Sequence, residues 1–268
     1  MVSLFASIQD FKKREIANWL NFSFIVFALA YRAFYASAFG EIEFFIFGIL
    51  GVIEMFLIAS IFYYTNAFGG GDAKLLIGFG AILPYKSYLD VIYYGLGFIF
   101  ILFFIGAVYS IIYSLFLSLK NKKKFRISFS RYLEKNKTIF LYQIALFIIC
   151  FFVFIFYADS IFRFLFILTF LSILFFILYV YLKAVEESSM IVLKNYNHLE
   201  AGDWLLKDVR IGSRMIRKSV HGLSREDIAF LKKKRKSVFI KEGIPFAIAF
   251  LLATLAMVFF YLFLGLQI

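Results

Sequence analysis

The sequence has one cysteine, Cys150, and two histidines, His198 and His221, in 268 residues. A single thiol cannot close an internal disulfide, and no Cys/His spacing suited to a metal exists. Cys150 sits inside an apolar run, as a lipid-facing or helix-packing residue does. A phosphate loop of the Gly-x4-Gly-Lys-Ser/Thr type is missing. So are internal repeats and the alternating pattern of membrane-barrel strands. Met1–Gln9 is apolar but lacks the basic start and small-residue cleavage site of a secretory signal peptide; the early apolar segments can direct insertion themselves. Acidic residues are few, 17 against 29 Lys and Arg, giving a net charge of +12. The basic residues cluster in short blocks between apolar runs, the distribution of cytosolic loops in membrane proteins rather than of a nucleic-acid surface.

What the chain has in excess is apolar residues, 63% of the total, with forty Phe. A soluble domain carries roughly half. The excess falls in blocks near the ~20 residues that match the hydrocarbon thickness of a bilayer. Eight apolar spans are expected: Met1–Gln9, Trp19–Phe39, Phe44–Ala67, Ala73–Leu83, Val91–Leu119, Thr138–Tyr157, Ile161–Leu182 and Ile244–Leu266. Backbone groups at membrane depth must be satisfied within the element, so the spans read as helices. The first and fourth are too short to cross alone. The fourth either continues at a slant through Tyr85–Leu89 or is shielded by neighbours. The fold class is all-α, a polytopic membrane helix bundle of about six to eight helices, with a small cytosolic insertion before the last one. The expected division is 1–119 for the catalytic helices, 120–182 for a basic loop and membrane hairpin, 183–243 for the cytosolic region and 244–268 for the final helix.

Loop charge orients this arrangement. With alternating spans and Met1 outside, the inner segments are Phe11–Asn18, Phe68–Asp72, Lys120–Lys137 and Lys183–Gly243. They hold the basic clusters around Lys12-Lys13-Arg14, Lys122-Lys123-Lys124 and Lys232–Lys236, as the positive-inside rule requires. Within Lys183–Gly243, Ser224 followed by Asp227 reads as a helix start. Lys232–Lys236 reads as a solvated helix face near anionic headgroups.

Charge is costly at membrane depth, so carboxylates there are candidates for function. Four qualify: Asp10, Glu54, Asp72 and Asp159. Asp159 falls at an outer turn and is expected to be hydrated. Glu54 lies mid-span and is expected to find a hydrogen bond on a neighbouring helix. Asp10 and Asp72 fall on the same inner face, one closing the first span and one opening the fourth. Two carboxylates brought together there cannot both ionise and share a proton. The charged one takes a proton from water while the neutral one donates to a scissile carbonyl oxygen. Gly69, Gly70 and Gly71 precede Asp72 and permit positive φ and close approach of a peptide backbone. Spacing alone equally allows a flexible turn with Asp72 capping the following helix.

Gly69-Gly70-Gly71-Asp72 with Ala73-Lys74, taken with Asp10 followed by Arg14-Glu15-Ile16 and Asn18, resembles the archaeal prepilin and preflagellin peptidases of the GxGD membrane aspartyl protease family. That family commonly has Pro before the Asn; here it is Ala17. Gly202-Asp203-Trp204-Leu205, His221-Gly222-Leu223-Ser224 and Lys241–Phe246 resemble the family's C-terminal cytosolic block. Family members usually carry a full span before the first aspartate. The nine residues before Asp10 therefore imply either a short first helix tucked among others or a start further upstream. The resemblance implies an aspartic endopeptidase in the plasma membrane, with its active site facing the cytosol. Its substrates would be prepilin-like or pre-archaellin precursors, losing a short basic leader at the interface. Asp10 and Asp72 would be catalytic. Gly69, Gly70, Gly71, Lys74 and Glu15 would shape the loop or meet substrate. Glu15, Glu186 and Glu187 would receive the leader. No metal or organic cofactor is implied, neither histidine is required, and the oligomeric state is left open. Two other readings remain: a presenilin-like intramembrane protease, or a non-catalytic transporter or scaffold, a transporter using Glu54, Asp10 and Asp72 as an ion path.

Overall fold

A computed structural model describes residues 1–156, 159–212, 214–219 and 221–263. Its helices are α1 (Val2–Lys13), α2 (Asn18–Phe39), α3 (Ile42–Tyr64), α4 (Gly70–Gly80), α5 (Tyr88–Lys120), α6 (Lys122–Lys135), α7 (Lys137–Phe156), α8 (Ser160–Val185), α9 (Arg225–Lys233) and α10 (Ala247–Phe263). Five of them are long and apolar enough to cross a membrane: α2, α3, α5, α7, and α8 with its continuation to Met190. The chain is thus a multi-pass helical bundle. Tyr157 and Leu266, where two of the expected spans end, lie outside the described residues.

The bundle centres on α4, which α3 and α2 clasp, while α5 packs on α3, and α10 on α5 and α1. At 11 residues α4 is only about 16 Å long. It is shielded by its neighbours, with Leu75, Leu76 and Phe79 buried. The expected slant through Tyr85–Leu89 does not form; residues 81–87 are not helical, and Ser87 caps α5 by accepting from the Asp90 N–H. Arg32 of α2 holds this return, donating to the carbonyls of Ala81, Leu83 and Phe44. Gly51 and Gly80 let α3 and α4 meet backbone to backbone, since a Cβ on Gly80 would run into the Gly51 carbonyl.

A second unit, α6 to α8, joins the bundle mainly through α5. The segment Lys120–Lys137, read from sequence as a loop, is mostly the helix α6. Its apolar positions, such as Phe125, reach back to Tyr181 of α8. The insertion that follows α8 is not purely irregular. Its strands β1 (Ile191–Lys194), β2 (Trp204–Leu205) and β5 (Val238–Lys241) form an antiparallel sheet in the order β1-β5-β2, and β3 (Val209–Ile211) pairs with β4 (Arg214–Ile216). Leu205, Ile216, Leu223, Leu231 and Ile240 close a small core of their own. The expected helix start appears as a full capping box between Ser224 and Asp227. The resembling strings Gly202–Leu205 and His221–Ser224 meet here, the Gly202 N–H donating to the Leu223 carbonyl and the Leu223 N–H to that of Asp203.

Candidate active site

Asp10 lies in the last turns of α1 and is 8% exposed. That helix turns its small residues Ser3, Ala6 and Ser7 towards α10, and the Ser7 hydroxyl donates to the Ala247 carbonyl at 3.1 Å. The close approach brings the Asp10 carboxylate over the start of α10. Its Oδ2 accepts the Ala247 N–H at 2.9 Å, and the Phe246 N–H also serves it. An acid here satisfies amides that the first turn of a helix leaves open and meets the positive end of its dipole. Arg14 ends α1 in the left-handed region, and its guanidinium donates to the Gly243 carbonyl and to the Tyr113 hydroxyl.

Asp72 is the third residue of α4, with Gly69 as N-cap. None of the three glycines takes positive φ; Gly69 has φ −70° and the other two begin the helix. The expectation of positive φ is therefore corrected, while close approach is what they provide. A Cβ on Gly71 would stand 3.1 Å from Ile16 Cβ, one on Gly70 3.7 Å from Tyr63, and one on Gly69 3.4 Å from Asp72 Oδ2. The Gly71 carbonyl accepts from Asn21 Nδ2 at 3.2 Å. Lys74 Nζ donates to Asn18 Oδ1 at 2.7 Å, fixing α4 to the start of α2. Gly69, not Asp72, is the N-cap of α4, so Asp72 does not occupy the cap position that the capping reading gives it. Its Oδ1 is buried with no hydrogen-bond partner among the described residues.

Both acids lie outside the five spanning helices. Burial, and then the like charge of Asp10, holds the Asp72 carboxyl well above the ordinary carboxylate range. Burial raises Asp10 too, opposed by the Ala247 amide, Arg14 and the Phe246 amide. The pair is thus set to keep a proton that two solvated carboxyls would lose.

The remaining candidates separate from this pair. Glu15 is exposed and enters none of the ion pairs among the described residues. Glu186 is already paired with Lys183 and Lys241, and Glu187 with Arg131. Glu54 packs against Gly95, its Oε2 without a partner among the described residues, and is not among the charges acting on either aspartate. An expected hydrogen bond to that oxygen is therefore not seen. Asp159 caps α8 at an exposed turn through the Ser160 N–H. His198 lies in an exposed turn. His221 Nδ1 is 2.7 Å from the hydroxyl of Tyr63, on the turn of α3 that leads to the glycine loop. Sequence reasoning missed the amides of residues 246 and 247, which meet Asp10 across more than two hundred positions. The only trace was the resemblance of Lys241–Phe246. It missed Asn21 and Arg32 as well; a lone arginine inside an apolar run was the available signal.

An acid on α1 and an acid behind a glycine triplet on α4 are the residues singled out in the sequence, and both fall within a region similar to known proteins. Residues 1–111 match the Type IV leader peptidase family. The preflagellin peptidase of Methanocaldococcus jannaschii is 36% identical over 81 residues, 30% of this chain and 34% of that protein. The preflagellin peptidase of Methanococcus voltae is 32% identical over 128 residues, 44% and 54% of the two chains. That of Methanococcus maripaludis is 31% identical over 81 residues, 30% and 35%. The chain spans between a third and about half of the length of the curated relatives it matches. No solved structure matches. The matched region takes in α1 to α4 and most of α5, and so both aspartates.

Proposed function

We propose that this chain is a membrane aspartyl endopeptidase that removes the short basic leader of prepilin-like or pre-archaellin precursors, at the cytosolic face of the plasma membrane. The observation that carries the reading is Asp72 at the head of α4 behind three glycines, its Oδ1 buried and unpartnered among the described residues, with the buried Asp10 on α1 as the like charge that raises it. The relatives named preflagellin peptidase support the substrate class. One carboxylate takes a proton from water as the water oxygen bonds to the scissile carbon. The other, protonated, gives its proton to the carbonyl oxygen. As the tetrahedral species collapses, the leaving amine takes a proton and the pair is restored. The precursor's backbone lies along Gly69–Gly71, where no side chain intervenes. Asp10 is followed by Lys12, Lys13 and Arg14, which favours cleavage at the interface over a presenilin-like cut within the bilayer. With Glu186 and Glu187 engaged in ion pairs, Glu15 is the acid left to meet a basic leader. Asp10→Asn and Asp72→Asn, each assayed on a prepilin fragment in detergent, should abolish cleavage while the protein still folds and inserts. Cleavage persisting in both variants rejects the assignment.

A further inference from the structure

One face of α5 looks onto the start of α10. Gly106 lies under Phe246, so close that a Cβ there would stand 2.6 Å from the ring. Tyr109 follows three positions later and Tyr113 four after that, a spacing that stacks all three on one side of a helix. The Tyr113 hydroxyl takes the Arg14 Nη2 donor at 2.8 Å, and its ring lies 5.8 Å from that of Tyr109. Tyr109 thus sits about one turn from each of two anchors, Gly106 under the residue that precedes Ala247 and Tyr113 on the arginine four positions beyond Asp10. Its hydroxyl lies within electrostatic reach of both Asp10 and Arg14. It is also buried, with no hydrogen-bond partner among the described residues. A buried phenol normally finds a partner.

The geometry points to Tyr109 as a third group that contacts substrate, donating its O–H to a carbonyl oxygen of the peptide held at Asp10. The inference rests on the peptidase reading. In the reaction described above Tyr109 keeps its proton. It contributes a hydrogen bond that tightens as the carbonyl oxygen gains negative charge on addition of water. A preorganised donor of that kind acts on the transition state more than on the bound substrate.

The test uses the full chain in detergent with a prepilin fragment, comparing wild type, Asp72→Asn and Tyr109→Phe, a change that deletes only the oxygen. The expected result is a fall in kcat of about 10²-fold in Tyr109→Phe, with KM and the thermal midpoint nearly unchanged. A wild-type kcat overturns the inference and leaves the peptidase reading standing. Loss of kcat together with a lowered thermal midpoint also overturns it, since the hydroxyl would then act through packing. If wild type and Asp72→Asn behave alike, the peptidase reading fails and the role of Tyr109 falls with it.

Discussion

The bundle of α1–α5 with α10 and the unit of α6–α8 are both built of apolar helices, yet they differ in what they bury. The first encloses Asp10, Asn21 and Arg32 and brings backbones together at Gly51 and Gly80. In the second, α7 buries no residue at all, and its contacts with α8 are largely Phe on Phe, as in Phe140 with Phe176 and Phe147 with Phe166. Lipid satisfies an apolar helix surface as well as another helix does, so a hairpin of this kind needs little packing to persist. Buried charged groups need partners, and those among the described residues, Asp10 and Arg32, both lie in the part that matches the leader peptidases. The difference separates a region whose buried polar side chains tie its helices together from a hairpin packed through apolar rings.

Perturbations should follow that division. The largest expected effect is on catalysis: Asp10→Asn and Asp72→Asn should each lower kcat/KM by at least about 10³-fold, whereas Gln143→Leu in α7 should leave it nearly unchanged. Equal losses would erase the distinction. Next is Arg32→Met, which leaves three carbonyl acceptors without their donor and should cost roughly 3 kcal/mol, read as a lowered thermal midpoint in detergent. The pH dependence of stability comes third. The pKa values of Asp10 and Asp72 are raised in the folded state from an ordinary value of 3.8. The folded state then holds protons that the unfolded state releases, so stability present below that value is lost as pH rises through the folded values. Asp72→Asn removes its share of the loss, and its thermal midpoint relative to wild type should climb between pH 4 and about pH 8; a flat difference would contradict the buried, mutually repelling pair. The smallest effect belongs to the second unit. Arg131 is 62% exposed in its pair with Glu187, so Glu187→Gln should cost at most about 1 kcal/mol in a denaturation experiment.

The spans were legible because hydropathy alone fixes them: α2, α3, α5, α7 and α8 fall within a few residues of their expected limits. The two aspartates were legible because acids are scarce and each sits beside a distinctive string. Other features were hidden for physical reasons. The charge run Lys122–Lys124 masks α6, whose apolar positions are spaced for a helix but outnumbered. Strands of two to four residues, such as Trp204–Leu205, are too short for an alternating pattern to show. Tyr109 is one of seventeen tyrosines, and nothing local distinguishes it from one facing lipid. Asp10 and Ala247 are joined only by the packing of α1 on α10, which no local signal encodes.

The amides that bind Asp10 belong to residues 246 and 247, beyond the whole insertion that follows α8. A ribosome making this chain releases both aspartates long before it reaches those residues. Until α10 packs on α1, Asp10 has neither amide, and its carboxyl is free to turn towards bulk water. The arrangement ties the final setting of Asp10 to completion of the fold.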